Sequence, residues 1–176
     1  MNQLLELLLR RRSVRKYTED PVSREQLERI VQAGLLSPTG KNKREWQFVA
    51  VTDRATLGKL SEARAGGAAK MLAGAPAAVL VFVDTDESDV WCEDGSIALS
   101  NMHLMATELG LGSCWIQGRL REAPDGGTTG AAARKILGVP GHYELTGILS
   151  VGVAAAEPAA RTLEDADMSK VHWDRF

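Results

Sequence analysis

Cysteine is almost missing from this 176-residue sequence: Cys92 and Cys114 stand alone, with no Cys-x-x-Cys pair. That spacing excludes the common zinc and dithiol templates and leaves two isolated thiols, expected to be buried and unbridged. Other metal-ligand patterns are absent as well. His103, His142 and His172 are scattered, Cys92, Glu93 and Asp94 match no ligand spacing, and His103 reads as a hydrogen-bonded core or interface residue. The acidic stretch Asp84–Asp89 fails as a calcium loop, because Asp89 and Gly95 stand where Gly and Glu are required. No metal is expected. Long apolar runs are lacking too: Ala75–Val83 is of strand length, far short of a bilayer. The leucines at 4–9 are broken by Glu6 and followed by arginines, the reverse of a secretion signal. A cytoplasmic protein without a membrane partner is expected. A net charge of −2 offers no cationic excess for nucleic acid, so no such partner is expected either.

Nucleophile and nucleotide motifs are also wanting. There is no Gly-x-Ser-x-Gly elbow. Gly110-Leu111-Gly112 follows a helical segment and precedes a strand, the reverse of a dinucleotide fingerprint, and Gly126–Gly130 lacks the Lys-Ser/Thr pair of a P-loop. No catalytic side chain is evident, so any difficult chemistry falls to a bound cofactor.

What is present fits one domain over residues 1–176, with 44% hydrophobic and 25% charged residues. Helices are predicted over 2–12 and from Ser23, where Gln26 completes a capping box and Leu27, Ile30, Val31 and Leu35 keep helical spacing. Short elements follow: a strand Phe48–Val51, a helix Asp53–Glu62 and a continuously apolar strand Ala77–Val83. The longest helix, 93–109, carries only a thin polar stripe and ends at Gly110. A strand Ser113–Gln117, a helix near 130–137 and a strand Leu145–Val153 complete the core, before a polar tail ending His172-Trp173-Asp174-Arg175-Phe176. Helices and strands intermingle without regular βαβ alternation, which predicts an α+β fold with a mixed sheet.

The first sixteen residues hold Arg10, Arg11, Arg12, Arg15 and Lys16. Guanidinium groups grip phosphate oxygens in bidentate fashion, and Ser13 adds a hydroxyl donor. Taken alone, the run reads more readily as a solvated basic helix end that complements the helix dipole than as a phosphate grip. Two further segments bear on it: Ser37-Pro38-Thr39-Gly40-Lys41-Asn42-Lys43-Arg44-Glu45-Trp46, and Gly110-Leu111-Gly112-Ser113-Cys114-Trp115-Ile116.

With Arg11-Arg12-Ser13-Val14-Arg15-Lys16-Tyr17, and in this order, these segments resemble the nitroreductase family of FMN-dependent oxidoreductases. The resemblance implies an α+β fold with a mixed, mostly antiparallel central sheet flanked by helices, in a domain-swapped homodimer with a shared active site. It implies FMN as cofactor and a ping-pong cycle in which NAD(P)H reduces the flavin and a small electron-poor acceptor reoxidises it. Nitroaromatics, quinones and activated alkenes are the acceptors it suggests. By matching position, Arg11, Arg12 and Ser13 would hold the phosphate and ribityl chain, and Arg15 would stabilise negative charge on the reduced ring. Lys70 matches a second cation and Arg161 a further phosphate contact. Pro38, Thr39, Gly40 and Asn42 match a loop that covers the ring from the partner subunit, and Cys114, Trp115 and Ile116 the strand beside its reactive edge.

One departure stands out: Arg44-Glu45 replaces the Gln-Pro usual before the loop tryptophan. It keeps open a flavin carrier or sensor without NAD(P)H turnover, or a specialised flavin-dependent dehydrogenase or reductase on the same fold. A cofactor-free interaction module with a basic surface is the remaining alternative.

Overall fold

Residues 77–83 are apolar without a break, and such a strand is shielded only when both faces are covered. The computed structural model, which describes residues 2–176, puts this strand inside a four-stranded sheet. Strand β2 (Ala77–Asp84) lies between β1 (Trp46–Val51) and β4 (Tyr143–Gly152), and β3 (Gly112–Gln117) completes the order β1-β2-β4-β3. All three pairings are antiparallel, and the parallel component among the described residues is a bridge between Ser13 and Ser113.

Alternation along β2 divides the core. Ala77, Val79, Val81 and Val83 pack with α2 (Arg24–Leu35) and α4 (Trp91–Glu108). Ala78, Leu80 and Phe82 pack with α3 (Arg54–Glu62) and α5 (Thr129–Leu137). The expected capping box starts α2: the Gln26 N–H donates to Ser23 Oγ at 3.1 Å, and the Ser23 N–H to Gln26 Oε1 at 2.9 Å. Gly110, at φ +73°, turns the chain out of α4 as expected.

The first helix, α1 (Gln3–Arg10), is shorter than the predicted 2–12. The Val14 N–H donates to the Ser113 carbonyl at 2.9 Å, so the chain must already be extended by Ser13 and cannot also be helical. Cys92 is half-buried and Cys114 buried, and both thiols are free. Among the described residues no acid, His or Cys cluster could hold a metal, and no helix is long and apolar enough to cross a membrane.

Helix α4 meets β4 where β4 bulges. The register slips between Val81 and Phe82, leaving Thr146 unpaired with β2, and its carbonyl accepts from Gly118 and Arg119. Gly95 lies against this bulge: a Cβ there would come within 2.3 Å of Thr146 Oγ1 and 3.0 Å of Thr146 Cβ. At the same end of α4, buried Asp94 accepts the Gly40 N–H at 2.9 Å. Glu45 is buried beside it, and neither of its carboxyl oxygens meets a donor. Burial, and next to it the Asp94 carboxylate, pushes the Glu45 acid above the ordinary glutamate range.

Two outcomes follow. Gly95→Ala is expected to destabilise the fold by about 1–3 kcal/mol through overpacking, measured by urea unfolding. Wild-type stability should fall as pH rises above 4.5, the ordinary glutamate value, through the raised folded-state value, because the folded chain retains a proton that the unfolded chain releases. Glu45→Gln keeps a donor and does not titrate. Its urea midpoint should therefore decline less steeply toward alkaline pH, and parallel profiles for the two proteins would contradict the upward shift of Glu45.

Candidate functional site

Strand β3 pairs with β4 on one side and is open on the other. In an antiparallel pair, alternate residues turn both main-chain groups away from the partner. Because the Ser113 carbonyl accepts from Val14, the outward residues are Ser113, Trp115 and Gln117, so the Trp115 N–H faces the open edge. The Ile116 main chain turns inward, and its side chain belongs to the core on the α3 and α5 face.

The extended segment from Arg11 meets this edge at Ser13 and Val14 and then leaves it, pairing Tyr17 with Ala154 beyond β4. Arg11 Nη1 lies 3.0 Å from His103 Nε2 on α4, and His103 Nδ1 lies 2.6 Å from Ser113 Oγ. Arg12 Nη1 donates to the Ala159 carbonyl, and the Arg161 N–H donates to the Leu9 carbonyl at 2.9 Å. The tail thus returns across the end of α1 and brings a third arginine to the run. Burial, followed by the charges of Arg161 and Arg12, holds the Arg11 guanidinium below its usual range. No ion pair to an acid neutralises Arg11, Arg12, Arg15 or Arg161 among the described residues. Beside them is a cleft of about 400 Å³ lined by Arg10, Arg12, Thr107 and the tail from Glu157 to Ala160.

The other half of the run faces β3. Ser13 reaches Cys114, and Arg15 Nη1 lies 3.5 Å from the Ser13 carbonyl. Burial pushes the Cys114 thiol up, outweighing the nearby Arg15, Ser13 and Arg11, so this cysteine is no ready nucleophile. Tyr17 Oη sits 2.7 Å from both the Val14 carbonyl and Ser150 Oγ and ties the end of the run to β4.

The loop residues lie elsewhere. Gly40 is pinned to Asp94 on the first turn of α4, whereas Arg11 is tied to His103 nine residues later. At 1.5 Å per residue the two anchors are about 14 Å apart. One chain therefore does not bring Pro38, Thr39, Gly40 and Asn42 to its own arginine run. Lys41, Asn42 and Arg44 adopt left-handed φ values of 54°, 56° and 55°, and Arg44 Nε donates to Asn42 Oδ1 at 3.0 Å. Lys70 opens a short 3₁₀ turn and has no hydrogen bond or ion pair joining it to the arginine run among the described residues. A separate groove of about 630 Å³ between α2 and β1 is apolar apart from Arg24, Glu28, Gln32 and Thr52. Arg24 and Glu28 neutralise each other at 2.8 Å, so it is no anion site.

Asp94, Glu45, Ser150 and the Arg11 contact of His103 were not among the expected site features. The available signal for His103 was its place ten residues before Ser113, with the Gly110 turn folding the one back on the other.

Comparison with known proteins identifies the family. The Nitroreductase family model matches residues 8–70 and 58–153. A protein of Archaeoglobus fulgidus with the provisional name NADH dehydrogenase/NAD(P)H nitroreductase is 36% identical over the full length of both chains. An FMN-dependent nitroreductase of Clostridium difficile superposes with a TM-score of 0.95 at 41% identity, over 98% of this chain and 99% of that one. A nitroreductase of Bacteroides fragilis, solved with bound FMN, gives 0.78 at 29% identity, over 98% and 100% of the two chains. With its basic run, open sheet edge and remote loop in the order of the family's motifs, this chain belongs to the Nitroreductase family.

Proposed function

We propose that the protein is a cytoplasmic FMN-dependent oxidoreductase in which NAD(P)H and a small electron-poor acceptor react in turn at one site. The observation that carries this reading is the gathering of Arg11, Arg12 and Arg161, without an acidic partner, where the N-terminal segment meets the Ser113 end of β3. Unneutralised guanidinium groups, half-buried at Arg11 and Arg12 and exposed at Arg161, fit a phosphate dianion. When bound, FMN supplies the two-electron chemistry that joins NAD(P)H to nitroaromatic, quinone or activated-alkene acceptors.

The chain's own residues supply the rest. Arg11, Arg12 and Arg161 hold the phosphate, and Ser13 orients the adjoining sugar chain. Arg15 stands near Cys114, where its charge would favour an anionic ring. The outward N–H of Trp115 offers a directed donor at the edge, while Cys114 and Ile116 support that strand from its inner side. Lys70 is proposed as a second cation near the ring.

Two copies of the chain, each a single unit over residues 1–176, are proposed to share each site. The loop Pro38–Asn42 lies about 14 Å along α4 from its own arginine run, which suits a loop that serves the other copy's flavin. Leu4, Leu8, Leu36, Ile97, Trp173 and Phe176 are exposed large apolar side chains, as expected of surfaces covered by assembly. A second reading rests on Arg44, which occupies the Asn42 amide oxygen. A loop closed on itself in this way fits a flavin carrier that turns over poorly.

The purified protein is expected to show a flavin absorbance spectrum that bleaches with NADPH or NADH. Multiple turnovers with a quinone would exclude the carrier, and a colourless protein that takes up no FMN would overturn both readings. Arg11→Ala should mainly weaken FMN retention and Arg15→Ala mainly slow flavin reduction, each by roughly 1–3 kcal/mol. Unchanged affinity and rate in both variants would reject the site assignment. Size-exclusion chromatography should give a dimer, and a monomer that retains flavin would reject the shared site.

A further inference from the structure

We infer that His103 is a positioning residue: its imidazole aims the Arg11 guanidinium at the phosphate of the cofactor, and Ser113 fixes the tautomer in which it can do so. This rests on the flavin reading above.

The hydrogen-bond logic leaves one arrangement. Arginine only donates, so His103 Nε2, 3.0 Å from Arg11 Nη1, must be the acceptor. A neutral ring then carries its proton on Nδ1, which lies 2.6 Å from Ser113 Oγ and donates to it. His103 is only 5% exposed, so water does not supply an alternative partner. Burial and then the Arg11 charge lower its pKa to about 4, so the ring is neutral at physiological pH.

The choice of a neutral partner has a function. A carboxylate at this position would orient Arg11 equally well but cancel its charge. An imidazole spends one of the five guanidinium N–H donors and leaves the full positive charge for a dianion. Ser113 also accepts Val14 through its carbonyl, so one residue of β3 sets both the path of the N-terminal segment and the orientation of its first functional arginine.

Direct measurement of flavin affinity tests this. The flavin-stripped full-length protein is titrated with FMN and with riboflavin, which lacks the phosphate, by flavin fluorescence. His103→Asn withdraws the acceptor from Arg11 and is expected to weaken FMN about tenfold, the scale of one charge-assisted hydrogen bond. Riboflavin affinity should be unchanged. His103→Gln, whose amide oxygen reaches toward the Nε2 position, should stay within about threefold of wild type. The double variant Arg11→Ala/His103→Asn should bind FMN no more weakly than Arg11→Ala alone.

Equal losses for FMN and riboflavin, or additive losses in the double variant, would overturn the inference, since either makes His103 a merely structural residue. Should His103→Asn not fold, His103→Gln and Ser113→Ala decide it: the first must retain FMN affinity, and the second must lose FMN affinity but not riboflavin affinity. The two readings separate cleanly. If Arg11→Ala leaves FMN preferred over riboflavin as strongly as in wild type, the phosphate assignment itself fails. If Arg11→Ala removes that preference and His103→Asn does not, only the role of His103 fails.

Discussion

A single hydrogen bond, from the Val14 N–H to the Ser113 carbonyl, sets where everything chemical in this molecule lies. It ends α1 early, draws residues 11–17 into an extended path and fixes which residues of β3 face outward. Extended backbone alternates its side chains, so Arg11 and Ser13 share a face and reach His103 and Cys114, while Arg12 turns to the tail at Ala159. The remaining contacts reinforce this choice. Tyr17 secures the far end on Ser150, and the returning tail secures the near end through Ala159 and Leu9.

Helix α4 is the second organiser. Each end anchors a functional segment through a buried titratable residue, His103 for the arginine run and Asp94 for the loop. At the C-terminal end His103, neutral, bonds to Arg11. At the N-terminal end Asp94 takes the Gly40 N–H, and Glu45, its acid pushed up by burial and by Asp94, is buried beside it. Removing charge from water is expensive, and a neutral His103 leaves the charge of its contact on Arg11 alone.

The sheet and its helices were legible in the sequence because their signals are local. The Ser23–Gln26 box, the unbroken apolar run of β2 and the Gly110 turn each act over a few residues, and each appears where expected. The arginine run, the loop and the Trp115 strand were legible as an ordered set of motifs. Their connections were not. Arg11 and His103 are 92 positions apart, and nothing in either neighbourhood announces the other. Glu45 read as the loss of a rigid proline, while its buried contact with Asp94 exists only once α4 is folded. The end of α1 was overextended because the competing partner, Ser113, lies a hundred residues along the chain.

Gly112 carries a consequence that reaches beyond this molecule. A Cβ there would stand 2.8 Å from a Val14 methyl group, so the N-terminal segment closes down only on a glycine. Positions 14 and 112 therefore form one heritable unit despite their distance in the chain. A lineage that gained a side chain at 112 would have to trim residue 14 in step or give up the docked segment. Covariation between these two positions is the trace that this mode of docking would leave among descendants.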